Sequence, residues 1–180
     1  MDRRILFPAM GACLVWAATV AAMPRTLTLA PSSAQIGFRA YGMGIIPIDG
    51  SFARFSGTLL LDDTNPAACR IDIRADAASL QMGDPAMTAD ALGPDLLDVA
   101  KYPAFAFQGD CRAGRLDGTL LLHGVTRPLS LDIGTERGAW VATGRMRRAD
   151  WGMGARPLLA GPEVRIRFTA ALPAGFPAAP

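Results

Sequence analysis

The chain's 180 residues suit one domain and are short for two, and a hydrophobic content of 51% is enough for a sizeable core. A net charge of +2 gives no basis for a nucleic-acid or polyanion partner. A single lysine, Lys101, stands against seventeen arginines spread along the chain; even the densest run, Arg145, Arg147 and Arg148, reads as the solvated face of a strand.

The first 22 residues have the layout of a secretory signal. Arg3 and Arg4 form a basic start, residues 5–20 are free of charge, and Val20-Ala21-Ala22 supplies the small residues a signal peptidase reads, so cleavage is predicted after Ala22. Two other readings are weaker. A retained anchor would need a longer run than one interrupted by Pro8 and Gly11. A lipoprotein signal ending at Cys13 would not continue apolar to Val20. A periplasmic or secreted location is therefore expected. Loss of the signal leaves two cysteines, Cys69 and Cys111, as a disulfide candidate in an oxidising compartment.

Beyond the signal the dominant pattern has period two. Strands are predicted near 25–30, 34–40 and 52–62. In residues 69–77, Ile71, Ile73, Ala75 and Ala77 share one face while Arg70, Asp72, Arg74 and Asp76 share the other. Residues 84–99 break the rhythm: Asp84-Pro85 marks a helix start, and one or two short helices are expected, interrupted at Gly93-Pro94. Strands resume near 103–111, 115–123, 128–133 and 139–147, and residues 163–172 close the series with Val164, Ile166, Phe168 and Ala170 on one face. About eight strands separated by turn residues make an all-β sandwich or barrel. The domain is placed at 23–172, with a disordered Pro/Ala-rich tail over 173–180.

One register can be tested internally. If the strands on either side of the helical segment are antiparallel neighbours, pairing Ala77 with Pro103 sets Cys69 opposite Cys111, both pointing inward with Ile71 and Phe107. The alternative is two buried free thiols.

The residues offer little chemistry. His123 is the only histidine, and no cysteine cluster has metal-ligand spacing, so neither a metal site nor a cofactor is expected. No Gly-x-Ser-x-Gly elbow accompanies His123, which reads as a turn residue, and no inward carboxylate pair stands out. The weight moves from catalysis towards binding.

Four segments then carry a resemblance. They are Phe52-Ala53-Arg54-Phe55-Ser56-Gly57, Asp95-Leu96-Leu97-Asp98 running on to Tyr102-Pro103, Leu122-His123-Gly124-Val125-Thr126-Arg127-Pro128, and Arg148-Ala149-Asp150-Trp151-Gly152-Met153. In this order the chain resembles the YceI-like family, exported bacterial proteins with a lipocalin-like antiparallel barrel that include polyisoprenoid-binding members. The resemblance spans residues 27–172 and implies an eight-stranded barrel that holds an isoprenoid lipid (a quinone or a prenyl phosphate) or an acyl chain. At Met87-Thr88-Ala89-Asp90-Ala91-Leu92 the chain departs from a family pattern rich in arginine and histidine, which leaves ligand identity open.

The inward candidates for ligand contact are Phe38, Phe55, Phe105, Phe107, Trp140, Met146, Trp151 and Met153, with Ala75, Ala77, Ala106, Ala142 and Gly144 as small neighbours. By pattern alone these residues fill a closed core as readily as they line a tunnel; the resemblance favours a tunnel. The expected partner is an apolar lipid, with transient membrane contact and an open oligomeric state. The competing function is a filled barrel acting as a scaffold at a membrane surface or with a membrane redox partner. A hydrolase or isomerase dependent on His123 is a third reading.

Overall fold

The computed structural model describes residues 24–62, 68–155 and 161–173; the predicted signal peptide and all but the first residue of the predicted tail lie outside them. Eleven strands and one α-helix follow in order: β1 (Pro24–Leu29), β2 (Ala34–Gly42), β3 (Ile46–Phe52), β4 (Phe55–Asp62), β5 (Cys69–Asp76), β6 (Leu80–Met82), α1 (Pro85–Leu92), β7 (Ala104–Arg112), β8 (Arg115–Leu122), β9 (Val125–Glu136), β10 (Ala139–Arg147) and β11 (Glu163–Ala171). All the strand pairings are antiparallel.

Eleven segments stand in place of the nine ranges read from the sequence: β3 and β6 are additional, because the chain kinks between β3 and β4 and between β5 and β6 as it does between β1 and β2. Between β5 and β6, Ala77–Ser79 forms a 3-10 turn. Asp76 accepts a hydrogen bond from the Ala78 amide (2.8 Å), and the Ser79 hydroxyl donates to the Asp76 carbonyl (2.7 Å). Aspartate and serine side chains thus compete locally with the ladder. The ladder nevertheless runs past the kink, with the Ala53 amide donating to Ser79 and the Asp76 amide to Arg54, both at 3.0 Å. Ala53 and Arg54 join β3 to β4, and a turn closed on the Ala30 carbonyl joins β1 to β2. Counting β1/β2, β3/β4 and β5/β6 as one member each gives an eight-membered meander. It closes where β11 pairs with β2, from Arg165 opposite Arg39 to Ala170 opposite Ala34. Closure removes exposed edges from most of the sheet.

Alternation sets the two faces. Along β5, Cys69, Ile71, Ile73 and Ala75 are buried inside, while Arg70, Asp72 and Arg74 are exposed. The outer face carries ion pairs such as Arg70–Asp110 (2.7 Å) and Arg54–Asp76 (2.7 Å). A charged exterior and an apolar interior describe a barrel surrounded by water, unlike a lipid-facing barrel. Among the described residues no helix is long and apolar enough to cross a membrane.

The register inferred from the cysteines is the observed one: Ala75 lies opposite Phe105 and Arg70 opposite Asp110, and the Ala77 amide donates to Pro103 (2.9 Å). Cys69 and Cys111 are disulfide-bonded, with Cα atoms 4.7 Å apart. The helical segment contains one α-helix. Asp84 caps it by accepting from the amides of Ala86 (2.7 Å) and Met87 (2.9 Å), with Pro85 in the first turn and the chain leaving at Gly93.

Gly109 and Gly118 face each other across β7 and β8. A Cβ on Gly118 would collide with the Gln108 carbonyl oxygen and meet the Phe107 ring. The missing side chain is what lets the Phe107 ring lie over this wall. Gly118→Val is therefore expected to cost about 2–3 kcal/mol, read as a lowered midpoint in urea unfolding.

Candidate functional site

The barrel interior encloses a cavity of about 540 Å³, within the ordinary range for small-molecule sites. Its deep wall comes from successive inward positions: Ile71 and Ile73 on β5, Phe105 and Phe107 on β7, and Leu116 and Leu120 on β8. Leu129 and Leu131 on β9, Ala142 and Met146 on β10, and Ile166 and Phe168 on β11 complete it. Every deep position follows from strand alternation.

The exposed members of the lining are Met43, Ile46, Pro47, Met87 and Asp90, so the mouth lies between the β2–β3 hairpin and α1. This is where the chain departs from the family pattern: Met87, Asp90 and Ala91 of α1 line the rim. The disulfide sits at the opposite end, beside the β7–β8 turn.

Two charged side chains belong to the lining, Asp90 at the rim and Arg148. Arg148 corrects the reading of a solvated basic run. Arg145 and Arg147 are exposed on β10, but Arg148 begins a 3-10 turn (Arg148–Trp151) and is only 7% exposed. Its Nε donates to the Gly161 carbonyl (2.8 Å) and one terminal nitrogen to the Met153 carbonyl (2.6 Å). These bonds tie the end of β10 to the segment entering β11. Burial lowers the Arg148 pKa from its ordinary value, yet arginine remains charged. The cavity is thus an apolar chamber with one fixed positive charge in its wall.

Of the eight inward candidates, Phe38, Phe105, Phe107, Met146 and Met153 line the cavity. Phe55, Trp140 and Trp151 are buried in the core without lining it. Phe55 follows the β3–β4 kink. Trp140 begins β10 at the disulfide end and packs edge-on against Phe168, with centroids 5.9 Å apart. Trp151 leaves the strand on the 3-10 turn, and its indole N–H donates to the Leu120 carbonyl (3.1 Å). Strand parity identifies the burial of Phe55 and Trp140, but not that of Trp151 beyond the strand end, and position along the barrel decides which residues meet the cavity. Ala106 faces away from it, because Phe105 and Phe107 on either side point in. Phe52, Ile36 and Leu97, absent from the candidates, contribute to the lining; strand alternation exposes Ile36 as inward, whereas Leu97 lies in a non-strand connection.

His123 is a turn residue. It occupies the left-handed region (φ 51°) ahead of Gly124 (φ 73°), closing β8 on β9, and its ring lies 4.3 Å from that of Tyr102. Among the described residues, no three His, Cys, Asp or Glu side chains are gathered as a metal site.

Fold and cavity define the class: a closed antiparallel meander with an apolar chamber open at one end. The sequence matches the YceI-like domain over residues 27–172, and the chain belongs to the YceI-like family. It is 26% identical over 166 residues to a UPF0312 protein of Enterobacter sp. (strain 638), covering 84% of this chain and 86% of that one. A UPF0312 protein of Vibrio parahaemolyticus is 31% identical over 134 residues, covering 66% and 71%. Among solved structures, BcnA of Burkholderia cenocepacia superposes with a TM-score of 0.64 at 20% identity, covering 77% of this chain and 96% of that one. A polyisoprenoid binding domain from Saccharophagus degradans, implicated in plant cell wall breakdown, superposes with a TM-score of 0.57 at 15% identity, covering 82% and 98%.

Proposed function

We propose that this protein is exported and carries a single isoprenoid or acyl lipid, with the tail along the barrel axis and the head at the mouth between α1 and the β2–β3 hairpin. The observation that carries the reading is the 540 Å³ apolar cavity inside a barrel of this family. Each methylene buried there contributes about 0.8 kcal/mol, so a long hydrocarbon needs little polar help. Met146 and Met153 suit a wall that must accommodate a flexible chain. The polyisoprenoid binding of the Saccharophagus domain is in keeping with such a cargo. Export rests on the sequence of residues 1–22, and the disulfide fits an oxidising compartment. The size of the cavity argues against the filled scaffold barrel.

Native mass spectrometry of protein purified gently from an exporting host tests this directly. The expected result is a stoichiometric adduct that extracts into organic solvent as a prenyl or acyl lipid. A clean apo mass that stays apo after incubation with quinones and fatty acids would overturn the reading. Ala40 lies on the lining between Phe38 and the mouth. Ala40→Trp is expected to narrow that passage and lower lipid occupancy at least about tenfold, equivalent to roughly 1.4 kcal/mol of binding. Wild-type occupancy in this variant would exclude the hairpin side as the route.

A further inference from the structure

Among the described residues, five large hydrophobic side chains are exposed, and four of them surround the cavity mouth. Met43 (64% exposed), Ile45 (80%) and Ile46 (47%) form the tip of the β2–β3 hairpin, and Met87 faces them from α1. From Gly42 to Ile48 no side chain is polar. The turn itself breaks the usual chemistry. Met43 holds a left-handed conformation (φ 48°) ahead of Gly44, whereas the corresponding positions of the other described hairpin turns are Ala113, His123 and Arg137. None of the four uses the asparagine, aspartate or glycine that is ordinary there, and what sets this turn apart is a large apolar side chain that stands 64% exposed. A bulky apolar residue at a strained, solvated position points to an environment other than water.

We infer that the hairpin tip inserts into the surface of an anionic phospholipid bilayer, so that the cavity mouth opens onto the membrane. Outward positions along β2 and into its turn grade from charged to apolar. Arg39 and Tyr41 lie about 7 Å apart on the strand, and the exposed Met43 follows in the turn just beyond it, the order of groups met on crossing from headgroups towards hydrocarbon. Tyrosine belongs at that interface. At the level of Arg39, the neighbouring strands place Arg165 and then Arg145 directly alongside, and Arg165 lies over the Tyr41 ring at 5.3 Å. With Arg147, these arginines outnumber the two carboxylates that pair with them, Asp49 and Glu163. Guanidinium groups held one level behind an apolar tip complement lipid phosphates. The Ile45 amide donates to Gly42 (3.1 Å) and the β2–β3 ladder occupies the remaining hairpin, so little unpaired backbone enters the interface. Asp90 on α1 keeps the opposite rim at headgroup level, which makes the hairpin the deeper edge.

The use of this contact, transfer of a lipid between bilayer and barrel, rests on the carrier reading; the contact itself does not. The test places a reporter at Ile45. Ile45→Trp, and Arg137→Trp at the opposite end of the barrel as a control, are mixed with vesicles of phosphatidylcholine and phosphatidylglycerol brominated in the acyl chains. Each emission is read as the difference from wild type, so anything residues 1–22 contribute cancels. The indole added by Ile45→Trp is expected to shift to the blue and be quenched, with the quenching weakened in high salt, while the one added by Arg137→Trp stays unchanged. An Ile45→Trp emission indifferent to vesicles, or matched by that of Arg137→Trp, overturns the docking and leaves the patch to a protein partner. In parallel, Ile45→Asp, at a tip residue outside the cavity lining, is expected to slow uptake of a fluorescent acyl lipid from vesicles about tenfold or more while uptake from detergent solution is retained. Equal uptake from both sources would also count against docking. Absence of uptake from detergent, in wild type and variant alike, would instead sink the carrier reading with the Ile45→Trp result standing.

Discussion

Reduction of the Cys69–Cys111 bridge is expected to lower the unfolding free energy by about 2–4 kcal/mol. The two cysteines are 42 residues apart in sequence, and the bonded pair closes a loop holding β5, β6, α1 and most of β7. Without the bond that loop gains conformational freedom mainly in the unfolded chain. The bridge also pins the end of the barrel opposite the mouth, where β5 and β7 meet. A domain of this size loses about 2–4 °C of melting temperature per kcal/mol, so a fall on the order of 5–15 °C should follow. Calorimetry with and without reductant checks this, with Cys69→Ser as the control that should no longer respond. Identical wild-type melting in both conditions would show that the bond contributes nothing to stability.

That bond also illustrates what the residues alone disclose. Two cysteines sharing parity with Ile71 and Phe107 fixed a register, and the register carried the neighbouring ion pairs with it: Arg70 meets Asp110 because Cys69 meets Cys111. Alternation is a local property, so inward faces, the Asp84-Pro85 helix start and the glycine turns were all readable. The kinks were not. Asp76 and Ser79 read as ordinary outward and strand-end residues until their hydrogen bonds to Ala78, Arg54 and each other are known. Arg148 was misplaced because it reads as one basic run with the outward Arg145 and Arg147, although it shares the parity of the inward Met146; what holds it buried is the segment folded over it, through the Gly161 and Met153 carbonyls. Position along the barrel axis was equally hidden. Trp140 and Phe107 are both inward and buried, but only the three-dimensional path of their strands sets one at the closed end and the other against the cavity. The exposed Ile45 and Ile46 look like any other strand entry in a pattern of alternating apolar residues.

Phe107→Arg is the substitution expected to be most damaging to function. Phe107 pairs with Ile73 and Leu120 on its two flanks, is only 8% exposed, and lines the cavity at mid-barrel. An arginine there cannot shed its charge, and the charged groups already in the lining are no help: Arg148 has the same sign and Asp90 lies at the rim. Burying the charge unpaired costs several kcal/mol, about 3–5 being typical of a charge stripped of its partner. Two responses are open to the protein. The side chain can drag water into the cavity from the mouth, which preserves the fold and removes the apolar chamber, or the barrel can unfold. Lipid binding is lost in both, by at least about a hundredfold, or some 2.7 kcal/mol. Circular dichroism separates the two responses, and Gln108→Arg provides the control on the adjacent residue. Gln108 faces outward beside Asp72, with its amide nitrogen 2.8 Å from that carboxylate, so a positive charge there is already matched. The control should stay within about 0.5 kcal/mol of wild type and bind lipid normally. If Phe107→Arg instead kept both stability and binding, the ring could not form part of the ligand chamber. A hydrated but folded variant would be the more informative success, since only a barrel already hollow can admit a charge without coming apart.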